Sequence, residues 1–292
     1  MKPEPLMRAA VWLLRVIGLL PLALVRTIGS SFGSLAYLLV GSRRRVTLIN
    51  LRKCFPEWSE ARRRKLARAH FRCLAASLFE RFIVWYTTPD RVRRLVKLLG
   101  SEHLLPWRGR PVILLAPHFV GIDAGGVRLL LDVPLASMYA NQKSRVLTEV
   151  MTRGRVRLGD GKVLLRNHGL RPALRLIRQG VPFYFLPDMD LGARDALFVP
   201  FFGVPAATVP SLARLAQLTN AVVIPVVTRM TAGGYVAQIY PAWTDFPEDD
   251  LLIATRRMNE FIEQRVLEMP EQYLWSHRRF KTRPPGEPDA YS

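Results

Sequence analysis

The stretch Pro111-Val112-Ile113-Leu114-Leu115-Ala116 runs without a break into Pro117-His118-Phe119-Val120-Gly121-Ile122-Asp123. A continuous apolar run of this length, ended by proline, reads as a strand buried on both faces, the kind found in parallel sheets. Five further runs repeat the pattern: Val133–Tyr139, Lys162–Leu165, Val181–Leu186, Ala221–Val227 and Tyr235–Tyr240. Between and after them, Ala124–Leu131, Ser144–Arg153, Leu170–Gln179, Val209–Leu218 and Asp250–Glu268 carry helical periodicity. Strands alternating with helices predict an α/β domain around a helix-covered, mostly parallel sheet, preceded by a helical region reaching to about Leu99.

Such sheets hold ligands just beyond the C-terminal ends of their strands, which is where His118 and Asp123 fall. Five positions along one helix would turn the two side chains apart. They meet if His118 lies in the loop and Asp123 in the first helical turn, with Gly121 easing the bend. In that geometry Asp123 accepts a hydrogen bond from one imidazole nitrogen and leaves the other as a proton acceptor. A pair of this kind takes a proton from a hydroxyl as it attacks an acyl carbonyl. No G-x-S-x-G lies near His118 (the one match, Gly29–Gly33, falls in the apolar N-terminal region) and neither cysteine, Cys54 or Cys73, is near, so direct transfer is expected rather than a covalent intermediate. By spacing alone H-x4-D is also compatible with a capping aspartate beside a loop histidine.

Upstream the chain changes character. Ala9–Val25 is apolar but interrupted by Arg15, Gly18 and Pro21, and Leu35–Val40 is a second apolar stretch. A mid-helix arginine costs about 2.5–3.5 kcal/mol on insertion scales, less if it snorkels. The interruptions favour a hydrophobic helix lying partly in the membrane interface; a spanning anchor, a buried soluble helix and a cleaved signal peptide are the rivals, the last opposed by Arg15 and the basic cluster beyond. From Arg43 to Arg72 the chain carries Arg43, Arg44, Arg45, Arg52, Lys53, Arg62, Arg63, Arg64, Lys65, Arg68 and Arg72 against Glu57 and Glu60. Each basic residue near an anionic leaflet adds about 1 kcal/mol of attraction. The expected organisation is therefore a membrane anchor over 1–42, a catalytic domain over 43–283, and a Pro-rich, frayed tail over 284–292.

The formal charge of +20 on 292 residues demands an anionic partner. Aromatics make up 10% and sit in apolar runs such as Phe183-Tyr184-Phe185, so nucleic acid is not expected. Two cysteines without metal-ligand spacing argue against a zinc or disulfide framework. Gly121, Gly125 and Gly126 do not make G-x-G-x-x-G, so no nucleotide cofactor is expected, and Asp188 with Asp190 lacks a third ligand for a metal.

The motif HFVGIDAGG resembles the H-x4-D/E signature of glycerolipid and lipid A acyltransferases. Asn50-Leu51 through Cys54-Phe55-Pro56-Glu57 is similar to the segment those enzymes carry after the anchor. Gly154-Arg155-Val156-Arg157 resembles their G-R-x-R stretch, Phe185-Leu186-Pro187-Asp188-Met189-Asp190 their P-D-x-D block, and Phe198–Gly203 the F-V-P-x-F-G that follows. Pro270–Pro284 is similar to their C-terminal signature almost position by position. The chain departs at Met189, where a polar residue is usual, and at Leu191, where an aromatic is common.

The resemblance implies a late acyltransferase of lipid A biosynthesis, with the fold of the glycerolipid acyltransferases and no cofactor. It would work on the cytoplasmic face of a Gram-negative inner membrane. His118 would be the general base and Asp123 its orienter. Phe119 and Gly121 would border the substrate, and Arg166 would bind an acceptor or carrier phosphate. Asp188 and Asp190 would bind sugar hydroxyls or shape the pocket. His277, Arg278 and Arg279 would form a phosphate site or cover the sheet edge, and Phe201, Phe202 and Val204–Ala207 would line an acyl channel or, as apolar residues more commonly do, pack the core. The implied donor is acyl carrier protein, and the implied acceptor a membrane lipid on an anionic surface. The same chemistry on a lysophospholipid, aminolipid or other glycolipid is the nearest alternative. A non-catalytic lipid-binding protein is the alternative from another class.

Overall fold

The computed structural model describes residues 18–139, 144–165 and 169–292, with Ala9, Trp12, Leu13, Arg15 and Val16 before them. Pro21, which lacks an N–H, precedes α1 (Leu22–Leu39), so the continuous helix starts near the end of the apolar run read from the sequence. This helix is long and apolar enough to cross a membrane. It is followed by α2 (Gly41–Cys54), α3 (Glu60–Tyr86, capped by Ser59) and α4 (Pro89–Leu95). Gly29 and Gly33 let the α1 backbone lie against α3. A Cβ on Gly29 would come within 2.7 Å of Ala76 Cα, and one on Gly33 would collide with the Phe71 carbonyl. Small residues four apart serve close helix packing of this kind.

Away from that contact, the described residues leave much of α1 uncovered. Leu24, Leu35, Leu38 and Leu39 are exposed, and so is Phe32 although its ring touches Phe79 of α3, in a band that a soluble domain would bury. Arg15 lies over the Tyr86 ring, 4.6 Å from its centroid.

The sheet then builds from β1 (Val96–Leu99), β2 (Val112–Leu115), α5 (Ile122–Leu130), β3 (Leu135–Tyr139), α6 (Arg145–Val156), β4 (Gly161–Leu165), α7 (Arg171–Arg178) and β5 (Phe183–Phe185). A hairpin of β6 (Leu197–Phe201) and β7 (Val204–Thr208) follows, then α8 (Ser211–Thr219), β8 (Val222–Thr231), β9 (Gly234–Ile239) and α9 (Leu251–Glu268). Among the described residues, seven strands form one sheet in the order β1-β9-β8-β2-β5-β3-β4, parallel throughout except between β8 and β9. The expected α/β class is the one observed. Central β2 is buried on both faces, as its unbroken apolar run requires. Ile113 and Leu115 pack into the cluster of Ile177, Leu212, Met258 and Ile262, while Val112 and Leu114 face Leu129 and Leu130.

Three expectations change. The helical region stops at Leu95, because Val96–Leu99 pairs with β9 at the sheet edge. For the segment around Phe201 the acyl-channel reading gives way to core packing: it is the β6–β7 hairpin, with Phe201, Ala206 and Ala207 in the core. The Pro-rich end is not frayed throughout: Tyr291 is buried, donates to Asn50 Oδ1 at 2.5 Å and accepts from the Phe280 N–H at 3.0 Å. One aromatic ring with two hydrogen bonds anchors an otherwise exposed segment.

Candidate active site

His118 stands three residues beyond Leu115 of β2, and Asp188 three residues beyond Phe185 of β5. Leu115 and Phe185 are register partners in the parallel pair. Equal offsets from paired positions bring the two residues side by side past the sheet edge. Asp188 Oδ1 accepts from His118 Nδ1 at 2.6 Å, and Oδ2 accepts from the His118 backbone N–H at 3.0 Å. Asp188 thus fixes both the ring and the main chain of the histidine. Burial would raise the Asp188 pKa, but the His118 ring and N–H hold it below the usual carboxylate value. With Nδ1 carrying the proton toward Asp188, Nε2 is left as an acceptor.

His118 lies in the loop and Asp123 in the first turn of α5, as the spacing requires. The hydrogen bond expected between them is made by Asp188 instead. Asp123 is held by two arginines: Arg155 Nε donates to Oδ1 at 2.7 Å, and Arg81 Nη2 lies 2.7 Å from Oδ2. Its burial is outweighed by these cations, which bring its pKa down to about 2. The physical reason is reach. Asp123 sits on the helix that packs beside α3 and α6, the sources of Arg81 and Arg155, whereas Asp188 leaves the strand paired with β2.

The other expected substrate contacts are largely structural. Asp190 Oδ1 accepts from Gly192 N–H and from Thr282 Oγ1, and Oδ2 accepts from the Thr282 N–H at 2.7 Å. With Asp188 spent on His118, neither carboxylate is left to bind sugar hydroxyls. Phe119 is buried against Tyr273, their ring centroids 5.6 Å apart, so it packs the loop from behind. Gly121 is required by space: a Cβ there would lie 2.7 Å from the Thr228 carbonyl oxygen. Arg279 is buried and donates to Ala207 O and Thr208 Oγ1, which removes it from a phosphate site. Burial, with His118 and Arg279 nearby, takes the His277 pKa down to about 4, and its neutral Nε2 accepts from the Asp190 N–H at 3.1 Å. Arg166 lies outside the described residues.

The C-terminal segment braces the histidine loop. Leu274 N–H donates to His118 O at 3.1 Å and Val120 N–H to Gln272 O at 2.9 Å. Asn50 Nδ2 donates to both Trp275 O and His277 O at 2.7 Å. Asn50, more than 200 residues upstream, thus steadies the C-terminal segment that holds the histidine loop. Asp123 and Arg155 line a small cavity of about 80 Å³ whose other walls include Ile122, Val127, Leu130, Tyr139 and Leu186.

Sequence reasoning missed Arg81, Arg155 and the role of Asp188. For Asp188 a signal existed. Ala116-Pro117-His118 and Leu186-Pro187-Asp188 end two apolar runs in the same way, so parallel pairing would have aligned them. Arg155 stood in the quoted G-R-x-R stretch, but nothing local tied it to Asp123.

A base-like histidine held by a buried carboxylate at the open edge of a parallel sheet defines a group-transfer or hydrolytic enzyme class. Comparison with known proteins narrows the class. Residues 5–282 match the family model described as bacterial lipid A biosynthesis acyltransferase. The lipid A biosynthesis lauroyltransferase of Escherichia coli is 31% identical over 93% of this chain and 90% of its own length. The E. coli myristoyltransferase is 34% identical over 86% and 79%. A lipid A biosynthesis acyltransferase of Haemophilus influenzae is 36% identical over 83% and 76%. A solved 1-acyl-sn-glycerophosphate acyltransferase from Thermotoga maritima is 17% identical over 84% of this chain and 96% of its own, with a TM-score of 0.36. The chain belongs to the bacterial lipid A biosynthesis acyltransferase family and is an acyltransferase.

Proposed function

We propose that this enzyme moves a fatty acyl chain from an acyl carrier protein thioester to a hydroxyl of a lipid A precursor, at the cytoplasmic face of the inner membrane. The observation that carries the reading is the Asp188–His118 contact, which leaves Nε2 as a base at the sheet edge. Nε2 takes the proton of the acceptor hydroxyl as its oxygen bonds to the thioester carbonyl carbon. Collapse of the tetrahedral intermediate breaks the C–S bond, and the imidazolium returns the proton to the departing thiolate. Asp188 stabilises the imidazolium between these steps.

Asp123 has a different part. Bonded to Arg81 and Arg155, it keeps two cations beside the turn that bears His118, where charge develops on the thioester oxygen. The apolar walls of the adjoining cavity suit the first carbons of the acyl chain better than the closed β6–β7 hairpin does. A basic exterior complements an acidic carrier protein. The exposed apolar face of α1 supports a seat in the membrane, where the lipid acceptor resides. Mass spectrometry of lipid A from a strain lacking this protein tests the reading: one acyl chain should be missing, and restored by the intact gene but not by His118→Ala. An unchanged lipid A profile would reject the acceptor.

A further inference from the structure

Along α1, the exposed apolar band is interrupted at one place. Thr27, Ser30, Ser31 and Ser34 line an open groove of about 350 Å³ together with Arg26 and, from α3, Arg72. The two arginines differ in what they hold. Arg26 is committed: its Nε and Nη2 donate to Glu80 at 2.6 and 2.9 Å, and Nη1 donates to the Thr231 and Ala232 carbonyls. Arg72 has no ion pair or side-chain hydrogen bond among the described residues. The acidic residues of α3 are Glu60 and Glu80, and both are already paired, with Arg52 and Arg63 and with Arg26.

The hydroxyls also divide. Thr27 Oγ1 and Ser34 Oγ donate back to carbonyls of their own helix, Ala23 O at 2.8 Å and Ser30 O at 3.1 Å. Ser30 and Ser31 make no such bond among the described residues, and Ser31 is exposed. Ser31 lies one turn from Leu35 and two turns from both Leu24 and Leu38, all exposed. The groove thus offers one unspent guanidinium and two free O–H donors, on a helix face whose other residues seek lipid. Arg72 is exposed to solvent; once α1 is seated in lipid, a cation there without a partner is costly, and an acceptor-only anion with several oxygens relieves it. Phosphate meets that description: the guanidinium fork takes two oxygens and the hydroxyls donate to others.

We propose that the α1–α3 groove binds the phosphate of an anionic lipid headgroup, with Arg72 as the bidentate donor and Ser30 and Ser31 beside it. This is a site distinct from the His118 loop, and it rests on the membrane seat of α1. Bound there, the lipid would cover the last polar gap in the exposed face of α1 and set the depth and rotation of the helix. Free phosphate shares the chemistry but lacks chains to lie along Leu24, Leu35 and Leu38.

The test uses the full-length protein in neutral-detergent micelles, titrated with short-chain phosphatidylglycerol, short-chain phosphatidylcholine or inorganic phosphate while the thermal midpoint is read. Phosphatidylglycerol should raise the midpoint of the wild type and of Arg64→Ala, which removes an equal charge elsewhere on α3. In Arg72→Ala the half-saturating concentration should rise about tenfold or more, the usual worth of a charge-assisted hydrogen bond. Ser31→Leu, which fills the groove without changing charge, should lose the response as well. Equal responses in Arg72→Ala and Arg64→Ala would overturn the site, and a full shift from inorganic phosphate alone would overturn the lipid assignment. Flotation of the wild type with phosphatidylcholine vesicles reads the seat separately. If the protein fails to float, the seat falls, while the micelle titration still judges the groove.

Discussion

Asp123 and Asp188 are both buried, both close to His118, and opposite in what they do. Asp188 faces a histidine ring and a main-chain N–H, and uses one oxygen on each to hold the ring in place. Asp123 faces two guanidiniums and is locked as an anion with its pKa near 2. The contrast teaches that a short His–Asp spacing identifies a neighbourhood and not a hydrogen bond. Which carboxylate touches the ring depends on strand pairing, and the other is free to carry a different charge pattern to the same turn.

The comparison breaks most directly on the catalytic side. His118→Ala should lower turnover by about 10²–10⁴. Asp188→Asn should fall in the same range, because the amide turns an N–H toward Nδ1 and forces the proton onto Nε2, removing the base. Steady-state acyl transfer with folded, purified variants checks this. Near-normal turnover in Asp188→Asn would return the orienting role to Asp123.

Asp123→Asn should show itself as instability before it shows as chemistry. It leaves Arg81 and Arg155 with an uncompensated buried charge, which costs about 3–5 kcal/mol. Its thermal midpoint should drop well below that of Asp188→Asn, and equal midpoints would mean that the two carboxylates are less different than their partners suggest.

His70 sharpens the point with a buried imidazole that has no carboxylate. Its Nδ1–H donates to the Glu271 carbonyl at 3.2 Å, and burial takes its pKa from 6.5 down to about 4. Between those values the unfolded chain binds the proton and the folded chain does not. The stability this ring contributes is therefore complete above about pH 6.5 and is lost as pH falls toward 4, by about 3 kcal/mol. His70→Asn, which can keep the bond to Glu271 O, should flatten the curve of midpoint against pH in that window.

The smallest effect concerns the bracing of the Asp188 side. Tyr291→Phe removes the hydroxyl shared by Asn50 and Phe280 and should cost about 1 kcal/mol, readable by denaturant unfolding. A null result would show that ring burial alone seats the C-terminal segment.

Much of this protein was legible without coordinates. The apolar runs marked six of the seven sheet strands, most cleanly β2, which is buried on both faces and so carries only apolar side chains. β1 escaped because it is short, half-exposed and continuous with a helix; β6 escaped because Pro200 sits inside it. The order of motifs along the chain, from Asn50 to Pro284, pointed to the acyltransferase family, since each is a local pattern that survives being read one residue at a time. The sequence likewise determined that His118 ends a central strand, that α1 is apolar, and that the segment behind it is basic. Only the tertiary structure decided that Asp188 and not Asp123 holds the histidine, that Arg81 and Arg155 meet at Asp123, and that Asp190, His277 and Arg279 are braces. Those contacts join residues 32 to 92 positions apart, and spacing along a chain carries no information about which strand lies beside which.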